Sequence, residues 1–98
     1  MKHIPFFSIC IPTWNSEKYI VECLDSIFSQ DFSDYELIIV DNNSTDKTVE
    51  IVKHYKDDRL TIYQNKKNIG VALNHNKCMA YANGKYIHML SSDDRYQD

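Results

Sequence analysis

Four short apolar runs punctuate the chain, and the stretches between them follow a different period. Phe7-Ser8-Ile9-Cys10-Ile11 is the first run. Leu37-Ile38-Ile39-Val40 is the second, β-branched and uninterrupted, the pattern of a strand buried on both faces. Leu60-Thr61-Ile62-Tyr63 is shorter and more polar, which suits a strand nearer a sheet edge, and Tyr86 to Leu90 is the fourth. Between the first two runs, Tyr19, Ile20, Cys23, Leu24, Ile27 and Phe28 fall on one helical stripe, predicting a helix over Ser16 to Gln30. Asn15 or Ser16 is expected to cap it, with Glu17 in the first turn. A second helix is expected from Asp46 to Tyr55, capped by Ser44 or Thr45, with Val49, Val52 and Tyr55 facing inward. A third begins near Val71 and stops before Asn83-Gly84, with Val71, Ala72, His75, Cys78, Met79 and Ala82 on its inner side.

The resulting order, β-α-β-α-β-α-β, predicts an α/β fold of three layers, α/β/α, around a mainly parallel sheet with right-handed crossovers. The expected strand order is 3-2-1-4, a Rossmann-like nucleotide-binding half of a doubly wound sheet. In such sheets ligands bind beyond the carboxyl ends of the strands, where the strand order reverses. No repeat, low-complexity tract or linker interrupts residues 1–98, which read as a single domain.

Composition narrows the function classes. A net charge of −3 advertises no basic face for nucleic acid. No apolar run approaches the ~20 residues of a membrane span. The start, Met1-Lys2-His3-Ile4-Pro5, moves directly into a strand with no leader pattern. Cys10, Cys23 and Cys78 are an odd number without C-x-x-C spacing and sit in apolar patterns, as small hydrophobes do. The cysteines fit a reduced, cytoplasmic setting; a full-length protein is expected to be cytoplasmic or peripheral to the inner face of the membrane.

The residues with chemical capability follow the strands. Pro12-Thr13-Trp14-Asn15 follows the first, Asp41-Asn42-Asn43-Ser44-Thr45-Asp46 the second, and Ser91-Ser92-Asp93-Asp94 the fourth. A carboxylate at a buried strand end, Asp41, can accept hydrogen bonds from a base N–H or from ribose hydroxyls. Equally, it can hold the Asn42–Thr45 loop through Asx-type turns. Asp93 and Asp94 suit Mg²⁺ or Mn²⁺ bound with phosphate oxygens, although an Asp-Asp pair alone is more often a solvated turn. Thr13 and Trp14 can line a pocket or pack locally. His75 reads more readily as a core residue than as a ligand. Lys66 and Lys67 read as solvated, and the other histidines show no metal-ligand spacing.

Together these segments resemble the family 2 glycosyltransferases, with their GT-A fold, over nearly the whole chain. The resemblance rests on Ser8 to Asn15, on Tyr19-Ile20 through Leu24 to Ser26-Ile27 with Gln30, and on Tyr35 to Thr48. It continues through Asn68-Ile69-Gly70, Asn76, Ala82 to Ile87, and Leu90 to Asp94. It implies an enzyme that moves a sugar from a nucleotide-diphospho-sugar, most simply UDP-linked, to an acceptor hydroxyl with inversion, in cell-surface polysaccharide or glycan synthesis. The implied nucleotide-binding residues are Pro12, Thr13, Trp14, Asn15, Asp41, Asn43, His75 and Asp93. Asp93 and Asp94 would be the ligands of a Mg²⁺ or Mn²⁺ cofactor.

Two positions depart from the family pattern. Ser91 stands where many members carry Asp, and His75 stands where many carry Arg, replacing a fixed charge by a titratable one. The family's catalytic base and its glycan or lipid-linked acceptor surface are expected beyond residue 98. The chain alone is therefore expected to be inactive, and to self-associate through uncovered apolar surface. Two other readings remain: a non-catalytic nucleotide-binding or interaction module on the same scaffold, and a nucleotidyltransferase. The second ranks last, because Pro12-Thr13-Trp14-Asn15 is no Gly-rich, cationic phosphate loop.

Overall fold

The structure, a computed structural model, describes residues 3–91. Seven elements alternate: β1 (Phe7–Thr13), α1 (Ile20–Phe28), β2 (Tyr35–Asp41), α2 (Thr48–Lys53), β3 (Leu60–Gln64), α3 (Val71–Ala80) and β4 (Tyr86–Met89). The sheet has the order β3-β2-β1-β4, and every pairing is parallel. The α/β class and the 3-2-1-4 order read from the sequence are therefore present. β2 is buried along nearly its whole length, while β3 and β4 lie at the two edges.

Two apolar layers hold the helices on opposite faces. On one face Ile20, Cys23, Leu24 and Ile27 of α1 and Val52 of α2 pack with Ile9, Ile11, Leu37 and Ile39 of the sheet. Burying each such aliphatic side chain contributes about 1.5–3 kcal/mol. On the other face, Cys78 of α3 packs with Cys10, Ile38 and Val40 in a smaller cluster. The cysteines are free and buried, acting as small hydrophobes.

α3 does not bury the stripe that its apolar residues suggest. Val71 is 74% exposed, and Ala72 and Met79 are also exposed, while Asn74 and Cys78 point inward. Hydrogen bonding turns the helix to this face: the Asn74 side chain donates to the Val40 carbonyl at 3.0 Å. α1 and α2 are likewise shorter than their periodicity predicts. The chain from Ser16 to Tyr19 forms a turn, with the Ser16 carbonyl accepting from the amides of Tyr19 and Ile20. α1 has no side-chain cap. α2 is started by Asp46, whose Oδ1 accepts from the Thr48 amide at 2.9 Å and its hydroxyl at 2.5 Å. Ser44 and Thr45, the expected caps, are instead bonded to Asp41 and Asn15.

At the amino-terminal edge of the sheet the turn before β4 is pinned to β1 and β2. Glu36 accepts from the Ser8 hydroxyl at 2.5 Å and the Asn83 amide at 2.6 Å, and the Gly84 amide donates to Ser8 Oγ at 2.7 Å. A Cβ on Gly84 would lie 2.7 Å from the Ser8 nitrogen, so only glycine permits this approach. Beyond it, Tyr86 and Ile87 of the β4 edge remain exposed. Among the described residues no helix is long and apolar enough to cross a membrane.

Candidate functional site

Register brings the chemistry together. Thr13 pairs with Asp41 across β1 and β2, and Asp41 pairs with Gln64 across β2 and β3, so three strands finish on one rung. Asp41 is only 1% exposed, yet three donors reach its carboxylate. The Thr13 hydroxyl donates to Oδ1 at 2.7 Å, the Ser44 hydroxyl to Oδ1 at 2.7 Å, and the Ser44 amide to Oδ2 at 2.8 Å. The Asx-type role thus exists, and it extends across strands.

The loops after β1 and β2 are laced together by side-chain-to-backbone bonds. Asn15 (φ 49°) and Asn43 (φ 64°) adopt the left-handed conformation that Asn tolerates better than most residues. The Asn15 amide donates to Ser44 Oγ at 2.8 Å, and Asn15 Oδ1 accepts from the Thr45 amide at 2.8 Å. The Ser16 amide donates to Thr48 Oγ1 at 2.7 Å, and the Glu17 amide to Asp46 Oδ2 at 3.2 Å. Partial burial works against ionisation of Asp46, but the bonds from Thr48 and from the Glu17 and Asp46 amides together outweigh it and hold its carboxyl below the usual range.

Beside this frame lies a cavity of about 210 Å³, lined by Pro12, Thr13, Trp14, Asn42, Val71, Asn74 and His75. Trp14 is 54% exposed and lines it rather than packing in the core. His75 is half-buried at its wall, not in the core. His75 Nδ1 lies 2.9 Å from the Val71 carbonyl, which can only accept, so Nδ1 is the donor of this bond. A larger depression of about 430 Å³ is lined by Val49, Glu50, Lys53, His54 and Lys56. It holds no tryptophan face and no buried amide side chain of the kind that lines the smaller cavity.

Behind the cavity is a buried amide network that the apolar periodicity does not anticipate. Asn42 Oδ1 accepts from Asn65 Nδ2 at 3.0 Å and from the Ile69 amide at 2.9 Å. Asn42 Nδ2 donates to Asn68 Oδ1 at 3.1 Å and to the Gly70 carbonyl at 3.3 Å. Asn65 Nδ2 also donates to Asn74 Oδ1 at 2.8 Å, and Asn65 Oδ1 accepts from Lys77 Nζ at 2.8 Å. One signal was readable: Asn74 lies four residues before Cys78, on the same helical face.

Of the nucleotide-binding candidates, the cavity gathers Pro12, Thr13, Trp14 and His75. Asp41 stands one hydrogen bond behind Thr13. Asn15 and Asn43 are not in the lining, and Asn15 is engaged with Thr45. Among the described residues no group of three or more His, Cys, Asp or Glu side chains could hold a metal ion. Asp93 and Asp94, the metal candidates, lie outside the described residues, as does Ser92.

Known proteins share this fold. The sequence model of Glycosyl transferase family 2 matches residues 8–98. The chain is 35% identical over 95 residues to the "Putative teichuronic acid biosynthesis glycosyltransferase TuaG" of Bacillus subtilis (strain 168), covering 95% of this chain and 38% of that protein. Staphylococcus aureus TarS in complex with UDP-GlcNAc superposes with a TM-score of 0.86 at 39% identity, over 91% of this chain and 27% of that one. The mannosyltransferase PcManGT of Pyrobaculum calidifontis, in complex with GDP-Man and Mn²⁺, superposes with a TM-score of 0.88 at 27% identity, over 98% of this chain and 30% of that one. The chain thus spans well under half the length of these relatives. Its sheet and flanking helices are the Rossmann-like part of the GT-A fold, and the chain belongs to Glycosyl transferase family 2.

Proposed function

We propose that residues 1–98 are the donor-binding part of a glycosyltransferase that moves a sugar from a nucleoside diphosphate, UDP in the first instance, to an acceptor hydroxyl in polysaccharide synthesis. The observation that carries this reading is the cavity at the carboxyl ends of β1 and β2, where Thr13, Trp14, Asn74 and His75 face one space. Their hydrogen-bonding capacity suits a planar base. Thr13 Oγ1 spends its proton on Asp41, so it can only accept from a ligand N–H. Asn74 donates one side-chain N–H to Val40 and keeps a second among the described contacts. A carboxylate has about four acceptor positions, and the three donors at Asp41 leave one for a base N–H. Trp14 supplies a stacking face. Relatives solved with UDP-GlcNAc and GDP-Man support a nucleotide-sugar as the ligand.

In the proposed reaction the acceptor oxygen attacks the anomeric carbon, the bond from that carbon to the diphosphate breaks, and the configuration inverts. A base beyond residue 98 takes the hydroxyl proton. A Mg²⁺ or Mn²⁺ held by Asp93 and Asp94 would neutralise the departing diphosphate. Ser91, in place of a carboxylate, leaves the ribose fewer charged acceptors. The donor-binding part alone lacks that base and is proposed to bind without transferring, the acceptor being a glycan or lipid-linked chain.

A thermal-shift titration with UDP and GDP, with and without Mn²⁺, tests this. A ligand at 100 times its Kd stabilises by about 2.7 kcal/mol, a shift of several degrees for a domain this small. Metal-dependent stabilisation is expected. No shift with either nucleotide would remove both the enzyme reading and that of a non-catalytic nucleotide-binding module.

A further inference from the structure

We infer that Asn42, Asn65 and Asn74 are positioning residues for nucleotide binding: their buried amide network, and not apolar packing, sets where the amino-terminal half of α3 and its His75 stand against the sheet, while Cys78 anchors the other half in the apolar cluster. The part of this concerning affinity rests on the donor-binding reading above.

The amino-terminal half of α3 has almost nothing apolar to hold it. Val71 is 74% exposed and Leu73 60% exposed, and the inward residue of this turn is Asn74. Every strong attachment near this end runs through amides. Asn42 accepts from the Ile69 amide and donates to the Gly70 carbonyl, and so grips the two residues that precede the helix. Gly70 (φ 87°) makes the reversal into α3 that this grip requires. Asn74 ties the next turn to the Val40 carbonyl on β2. Asn65 joins the two clamps: both its side-chain N–H groups are used, one on Asn42 and one on Asn74, and its amide N–H binds the Asp41 carbonyl at 2.8 Å.

Only one orientation of the Asn65 amide satisfies this pattern, and Lys77 enforces it. An ammonium can only donate, so its 2.8 Å contact identifies the carbonyl oxygen of Asn65 and directs the NH₂ inward. The cavity therefore has one wall on the sheet (Thr13, Asn42) and one on α3 (Val71, Asn74, His75), joined by the Asn65 amide. Loss of this link frees α3 to shift, widening the cavity and moving His75 away from a bound base while the two apolar cores persist.

The test compares Asn65→Ala with Val52→Ala, a core truncation under α2. UDP affinity is measured with Mg²⁺ by calorimetry at a temperature where each variant is folded, and the backbone and His75 ring resonances are followed by NMR. Asn65→Ala is expected to weaken UDP binding about tenfold, as loss of more than one hydrogen bond warrants. It should also shift the amides of Val71 to His75 and the His75 ring, whereas Val52→Ala leaves affinity within about twofold and those resonances in place. Unchanged affinity in Asn65→Ala, or an equal loss in Val52→Ala, overturns the inference. If Asn65→Ala does not fold, Lys77→Met, which releases the amide from the solvent side, takes its place with the same expected signs. If the unmodified chain binds neither UDP nor GDP, the donor-binding reading fails alone. The His75 and Val71 resonances then decide the positioning role, which their failure to move in the variant would overturn.

Discussion

At Asp41 a single buried carboxylate collects donors from the end of β1 and from the loop after β2, and this decides what its replacement does. Asp41→Asn turns one acceptor oxygen into an NH₂ that meets either the Ser44 amide or the Thr13 and Ser44 hydroxyls. Loss of a hydrogen bond to a charged group costs about 1.5–3 kcal/mol. We expect a fall of this size in urea unfolding, together with loss of UDP-induced stabilisation; an unchanged midpoint would contradict the bonding described. Asp46 sets an acid limit. Its carboxyl is held below the ordinary value, and Asp57 likewise through its hydrogen bonds with Arg59. A depressed folded-state pKa gives stability that is present above the unfolded carboxylate pKa of about 3.9 and is lost as pH falls through the folded value. Urea midpoints should therefore drop below about pH 4, and less steeply in Asp46→Asn. Asp46→Ala should cost about 1 kcal/mol at neutral pH through the uncapped start of α2.

At the scale of elements, apolar packing and polar stitching divide the work. α1 is held by its buried stripe, so Leu24→Ala should cost about 2–5 kcal/mol in chemical denaturation, enough to leave a domain this small marginal. The α3–β4 turn is held by close approach, and Gly84→Ala should cost about 1–3 kcal/mol, or more if the Ser8 backbone cannot move. A midpoint equal to that of the unmodified chain would show that the turn yields freely. The same division explains what the sequence disclosed. Strands β1 and β2 and the stripe of α1 were legible because burial selects apolar residues there, whereas the less buried β3 and β4 showed through their β-branched and aromatic residues. The start of α2 and the face of α3 were not, because Asp46 and Asn74 act through hydrogen bonds, which leave no period. The reach of Asn42 to residues 65–70 depends on strand register, which a linear pattern does not carry.

At the scale of the molecule, the parallel order β3-β2-β1-β4 places Thr13, Asp41 and the start of α3 at one edge, with two apolar cores behind them. Sequence motifs located that edge, whereas the cavity itself needed α3 to be turned onto Asn74. The central claim is that a nucleotide occupies this cavity and not the larger depression on α2. The most direct measurement is an amide NMR titration of the chain with UDP and Mg²⁺. The account predicts saturable shifts concentrated at Thr13, Trp14, Asn42, Val71 and His75, with Val49 to Lys56 unmoved. Shifts confined to Val49 to Lys56, or no shifts at millimolar UDP, would contradict it.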